Sequence, residues 1–192
     1  MLTTTRDIAI RAAVPADAPR IAQTHVACWR ETYAGMLPDE ALAKLSVADR
    51  TVMWEGILTQ SPPATSVFVV DRDDEIAAFG ACGRQRDVDL AAKGYGGEVS
   101  AIYVLASAQG RGVGTALMRV MAAALTEQGL AGMSLWVLRE NAAARRFYDR
   151  LGGKVLGEKA ERRPFGEIVE VTYGWPDLKP LAHCSCEHTH SI

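Results

Sequence analysis

One stretch of the chain has residue types and spacing suited to phosphate chemistry: Gln109-Gly110-Arg111-Gly112-Val113-Gly114-Thr115. Alternating glycines let a backbone approach a ligand closely and turn its amides toward it. A strand-like run from Glu98 to Val104 enters this loop, and a helical pattern leaves it. A helix N-terminus adds unpaired N–H groups and a partial positive charge. Arg111 would add a charge-assisted contact. The chemistry on offer is the holding of a phosphate or pyrophosphate. A tight turn without a ligand is the plain alternative, because short motifs recur by chance.

Several phosphate ligands can be set aside. A P-loop needs Lys-Ser/Thr after its last glycine, and here Thr115-Ala116 follows. The dinucleotide fingerprint needs a third small residue where Leu117 stands. Gly110-x-Gly112-x-Gly114 is compatible with an S-adenosylmethionine-dependent methyltransferase. Such enzymes carry the loop early, with a long doubly wound sheet behind it, and only 78 residues follow Gly114.

A second stretch lies downstream. It runs Leu135-Trp136-Val137-Leu138-Arg139-Glu140-Asn141, then Ala144, Phe147-Tyr148 and Leu151-Gly152. Alone it reads as an apolar strand and an N-capped amphipathic helix with an aromatic pair. Its place, one helix and one strand after the glycine-rich loop, matters more. Together, Gln109-x-x-Gly112-x-Gly114 and this helix resemble the GNAT superfamily of N-acetyltransferases. The resemblance spans about residues 67–175 in architecture, with its specific motifs within 98–152.

The resemblance implies an α/β (α+β) fold with a largely antiparallel central sheet, splayed and flanked by helices. It implies acetyl-CoA as co-substrate and a small-molecule or peptide amine as acceptor. The pantetheine arm would lie in the splay and pair with the backbone near Tyr103 and Val104. Amides from Gln109 through Gly110, Arg111, Gly112, Val113 and Gly114 to Thr115 would hold the pyrophosphate. Asn141, Ala144 and Phe147 would line the cofactor side. Dimerisation is common among similar folds, so a homodimer is one expected assembly.

The chemistry would then be direct attack of an amine on a thioester. An alkylammonium has a pKa of about 10.4 and must lose a proton first. Glu98, at the mouth of the splayed strand, is the candidate base, directly or through water; a solvated carboxylate starting a strand is the competing reading. The backbone N–H near Val104 is the expected oxyanion donor, freed by a strand irregularity. A thiol pKa is about 8.5, so the leaving thiolate is helped by an acid. Tyr148 matches the family's general acid, and a phenol stays protonated at neutral pH. An acyl-CoA-binding sensor without catalysis would share the loop. The presence of both Glu98 and Tyr148 favours the enzyme.

On the acceptor side, Cys28-Trp29-Arg30-Glu31-Thr32-Tyr33-Ala34-Gly35 through Pro38 looks like a Ser-Trp-Arg-x-Thr-Tyr-x-Gly segment of one GNAT subgroup, with Cys28 in place of Ser. Trp29, Arg30 and Tyr33 would shape the substrate pocket, with Arg30 available for a substrate carboxylate. A packed helix end with an Arg30–Glu31 surface pair is the alternative. Asp71, Asp73, Asp74, Asp87 and Asp89 would attract a cationic amine or merely solvate a turn. The His183-Cys184-Ser185-Cys186-Glu187-His188-Thr189-His190 tail contains metal-ligand residue types, but no second pair stands at finger spacing. No metal is therefore expected.

These residues need elements to position them. Asp7–Ala12 reads as a first strand. A helix follows from Pro15 to Tyr33, with Ile21, Ala22, His25, Val26 and Trp29 at helical spacing. Pro38 opens a second helix, and 52–58 reads as a third. A hairpin is expected over 66–71 and 76–83, and a strand apolar on both faces over 98–104, which makes it central. A helix over 113–128 would bury Val113, Leu117, Val120, Met121, Ala124 and Leu125. A strand over 133–138, a helix capped by Asn141, and strands over 154–158 and 168–175 complete the order. Helices, a hairpin, then β-loop-α-β-α-β-β give a mixed α/β domain over 1–176, with 177–192 as a tail.

The 192 residues are 48% hydrophobic and 23% charged, with a formal charge of −2. That balance suits a globular domain with a core and shows no basic excess for nucleic acid. No apolar run is long enough for a bilayer, and residues 1–7 do not read as a signal segment. Four scattered cysteines, Cys28, Cys82, Cys184 and Cys186, point to free thiols and a cytoplasmic location.

Overall fold

The computed structural model describes residues 9–61, 63–73 and 75–183. One seven-stranded sheet organises them in the order β1-β2-β3-β4-β5-β7-β6. The strands are β1 (Ile10–Ala12), β2 (Thr65–Arg72), β3 (Glu75–Arg84), β4 (Gly97–Val104), β5 (Met133–Leu138), β6 (Lys154–Arg163) and β7 (Gly166–Trp175). All neighbours are antiparallel except β4 and β5. The apolar run at 98–104 does take the middle of the sheet, as its two-faced pattern demands. The expected mixed, largely antiparallel sheet is present.

Helices cover both faces. They are α1 (Ala18–Tyr33), α2 (Asp39–Ala43), α3 (Val47–Leu58), α4 (Val88–Ala92), α5 (Val113–Glu127), α6 (Ala142–Arg150) and α7 (Lys179–His183). On one face, α5 buries Val113, Leu117, Met118, Met121, Ala122 and Leu125 with Leu135, Val137, Tyr148 and Tyr173. The buried stripe is rotated slightly from the expected one: Met118 and Ala122 are inside, while Val120 and Ala124 are half-buried. On the other face, α1 and α3 pack Ile21, Ala22 and Trp54 against Val69, Ile76 and Phe79 of the hairpin. Trp54 and Trp175 are both core residues, as expected.

Polar contacts anchor the segment that leads into α1. Arg11 of β1 bonds Asp17 at 2.6 Å and Asp71 of β2 at 2.6 Å. Arg20 adds a bond to Asp71 at 2.9 Å. The Arg11 guanidinium holds both carboxyls below their usual range. Asp71 is thus engaged within the fold, and Asp87 caps α4 through the Asp89 and Leu90 amides. Neither faces the clefts described below. Asp74 lies outside the described residues.

Several elements differ from the sequence expectation; β6, for one, runs on to Arg163 rather than ending at Glu158. Helix α3 starts a turn early because the Ser46 hydroxyl accepts the Asp49 N–H at 3.1 Å. Helix α4 forms between β3 and β4, in a stretch to which no element was assigned. The fold also continues past residue 176: Leu178 and Leu181 are buried in the α5 core, and α7 carries the second of them. The packed body therefore includes the first residues assigned to the tail. Cys184 and Cys186 lie outside the described residues.

Candidate active site

Strands β4 and β5 begin as parallel neighbours and then part. They pair only at Gly97–Met133 and Glu98–Ser134. Past those pairs the sheet opens into a cleft of about 600 Å³ between residues 99–104 and 135–137. The Leu105 N–H donates to the Ala77 carbonyl at 3.0 Å. The two-residue alternation of an antiparallel ladder then turns the N–H and C=O of Ile102 and Val104 away from β3, into the gap. Gln109 Nε2 takes the Val104 carbonyl at 3.0 Å, while the Val104 N–H faces the cleft. The strand irregularity is not at Val104, as expected, but at Ser100, where the register shifts between Ala101 and Val99. Val104 keeps its register opposite Ala78. Alternation and splaying, rather than a bulge, expose its amide.

The glycine-rich loop closes one end of this cleft. Gly110 and Gly112 have φ of +72° and +81°, values that L side chains adopt at a cost. Gly112 caps α5, and its carbonyl accepts the Ala116 N–H at 2.9 Å. The amides of Val113, Gly114 and Thr115 are therefore helix donors without a partner in the helix, and all three residues line the cleft. A Cβ on Gly114 would stand 3.2 Å from Phe147 Cζ. That contact explains why the loop and α6 can approach so closely. Asn141 Oδ1 accepts the Ala144 N–H at 3.1 Å and starts α6, which brings Ala144, Phe147 and Tyr148 to the wall. Arg146 and Arg150 line it too, although nothing in the sequence reading singled them out. Arg111 is exposed and does not line it, because it stands between two glycines whose turn directs it outward.

Tyr148 is buried against Tyr173 and Trp175, with ring centroids 5.5 and 6.1 Å away. Burial first, and the Tyr103 phenol second, push its hydroxyl pKa above the usual phenol range. It is therefore a neutral donor at any physiological pH.

A second cleft, of about 440 Å³, shares Tyr33, Ser100, Tyr103 and Trp136 with the first. Its walls are side chains. Trp29 and Tyr33 come from α1, Glu98 from β4, Arg86 from beyond β3, and Lys159, Glu161 and Glu170 from β6 and β7. The Tyr103 hydroxyl accepts the Trp29 Nε1–H at 2.8 Å and is also bonded by Tyr33. Beneath it lies buried His25, stacked on Tyr103 at 5.0 Å, its Nδ1 accepting the Trp54 indole N–H at 3.2 Å. Burial, then the nearby Arg50 charge, lower the His25 pKa to about 4. It is a neutral spacer rather than a base.

The comparisons with known proteins agree with this geometry. Residues 23–153 match the model of the Acetyltransferase (GNAT) family. The uncharacterized N-acetyltransferase YuaI of Bacillus subtilis is 31% identical over 175 residues, covering 91% of this chain and 96% of its own. The chain belongs to the GNAT acetyltransferase family. Solved structures share its fold. The N-acetyltransferase of Staphylococcus aureus Mu50 superposes with TM-score 0.68 at 19% identity, covering 90% of this chain and 99% of that one. PaiA N-acetyltransferase of Thermoplasma acidophilum, solved with coenzyme A, gives 0.66 at 16% identity, covering 88% and 99%.

Within this GNAT fold, not every expected site residue reaches a cleft. Arg30 does not: it is exposed, and its guanidinium bonds the Leu45 carbonyl at 3.3 Å. Glu31 is not its surface partner but accepts the Ala106 N–H at 2.9 Å, tying α1 to the end of β4. Glu98 lies at the cleft and is 7% exposed. It is not solvated, however. Arg86 holds it through Nε at 2.9 Å, through a second guanidinium nitrogen, and through its backbone N–H at 3.2 Å.

Proposed function

We propose that this GNAT-family protein transfers an acetyl group from acetyl-CoA to a primary amine by direct attack. The observation that carries the reading is the meeting of the two clefts. A gap floored by free backbone amides opens into a side-chain pocket at Tyr33, Tyr103 and Trp136. The residues present fit coenzyme A: positive-φ glycines, three free helix amides and the inward-facing Val104 amide suit a pyrophosphate and an amide-bearing arm.

In this reading the Val104 N–H stabilises the oxyanion. Tyr148 gives its proton to the departing thiolate; burial keeps its hydroxyl protonated until then. Glu98 receives the amine proton through water at Oε1, which accepts one bond from Arg86 while Oε2 accepts two. Trp29 and Tyr33 shape the acceptor pocket. Buried free Cys28 and Cys82, with thiols pushed up to about 12 by burial, suit a reducing cytoplasm. Among the described residues, no helix is long and apolar enough to cross a membrane.

Calorimetric titration of acetyl-CoA, with S-adenosylmethionine and NAD as controls, tests the first half of the reading. Saturable binding of acetyl-CoA alone is expected, followed by amine-dependent release of free thiol. Absence of acetyl-CoA binding would overturn it. Binding without thiol release across a panel of amines would leave a sensor domain instead.

A further inference from the structure

Lys159 of β6 reaches across β7 to β5. Its ammonium sits 4.1 Å from the centroid of the Trp136 ring and 3.6 Å from Glu170 Oε2. Lys159 and Glu170 face each other directly in the β6–β7 register. The Glu170 side chain is 18% exposed and the Lys159 side chain 44%, and all three residues line the acceptor cleft. An indole face with a sheltered carboxylate beside it holds alkylammonium ions well. Here the ion is the protein's own.

That occupant is replaceable. Strand β6 is the last in the sheet, and a half-exposed lysine on an edge can swing its flexible stem into water. Burial pushes the Glu170 carboxyl pKa up and the Lys159 charge pulls it down, so Glu170 is best ionised with a cation beside it. Trp136 also lines the gap between β4 and β5, which puts the seat next to the point where transfer takes place. The attacking nitrogen must be unprotonated, so an ammonium seat suits a second charge that the acceptor keeps.

We infer that Trp136 and Glu170 form a cation subsite, filled by Lys159 in the free protein, and that the acceptor is a linear alkyl diamine whose second ammonium displaces Lys159. The inference rests on the acetyl-transfer reading above. The neutral amine of the diamine forms the new C–N bond, and the C–S bond of the thioester breaks. The amine proton leaves to Glu98 through water, and the thiolate takes the Tyr148 proton. The product keeps its distal ammonium on Trp136.

The test compares putrescine with n-butylamine as acceptors, by thiol release, in the wild type, Trp136→Leu and Lys159→Gln. The wild type is expected to favour putrescine by about tenfold or more in kcat/KM, the scale of a cation–π and carboxylate contact. Trp136→Leu should lower kcat/KM for putrescine about tenfold more than for butylamine. Lys159→Gln, a half-exposed change that keeps the fold, should lower KM for putrescine severalfold more than KM for butylamine. Equal use of the two amines by the wild type would overturn the subsite while leaving acetyl transfer intact. So would a Lys159→Gln effect identical for both. Thiol release with neither amine, despite acetyl-CoA binding, would remove the subsite together with the transfer reading beneath it.

Discussion

On one side of Trp136 the working surface is mostly main chain: the inward amides of β4, the positive-φ turn at Gly110 and Gly112, and the first turn of α5. On the other side it is almost entirely side chains, drawn from α1, β4, β5, β6 and β7. The first surface comes from one continuous stretch and, in the proposed reaction, holds a group common to every reaction of its kind. The second is assembled from residues 29 to 170 and can be retuned one side chain at a time. The main-chain cleft should therefore break through changes in backbone conformation, and the side-chain cleft through single contacts.

The sharpest way to break this contrast is Gly112→Val. A β-branched residue at φ +81° is strained and crowds the amide cradle. Acetyl-CoA affinity by calorimetry should fall by about a hundredfold or more, at about 1.4 kcal/mol per factor of ten, as the cradle amides are displaced and crowded. Tyr148→Phe comes next. It should lower kcat by about a hundredfold or more with little change in acetyl-CoA affinity. Full activity in that variant would remove Tyr148 from the acid role.

His25 gives a smaller effect, on stability rather than turnover. Its folded pKa of about 4 lies below the ordinary 6.5. The unfolded chain therefore takes up more protons between those values, and stability falls as pH drops from about 6.5 toward 4. Above 6.5 this group contributes no slope. Thermal unfolding across that range should show the loss, and His25→Gln should flatten it. The smallest effect belongs to Arg30→Ala, which should change kcat and KM for any amine by less than about twofold. A large rise in KM there would return Arg30 to the acceptor cleft and blur the boundary between the two surfaces.

The same contrast decides what could be read from the sequence. The loop and the α6 cap are short-range patterns, so the sequence marks their positions, although not that Arg111 turns away from the cleft. Trp29 and Tyr33, four apart, share one helix face, while Arg30 is rotated by one residue onto the outer face. Residue type alone did not separate them. Strand β6 was expected to end at Glu158, which left Lys159 outside any element. Its partner Trp136 is 23 positions away in sequence, and only the register of β5, β7 and β6 joins them. The bulge at Ser100 has no glycine or proline to announce it. Helix α7 is too short for a periodic signal, and Leu178 and Leu181 show their worth only against α5.

The parting of β4 from β5 has one more consequence. A central strand is ordinarily the slowest part of a sheet to exchange its amide hydrogens with water, because a neighbour on each side protects it. Here the Ile102 and Val104 amides look into an open cleft from the middle of seven strands. They should exchange like those of a rim strand while Tyr103, bonded toward β3, stays slow. Adjacent residues of one strand would thus keep two different times, and the faster one would report on whatever fills the gap.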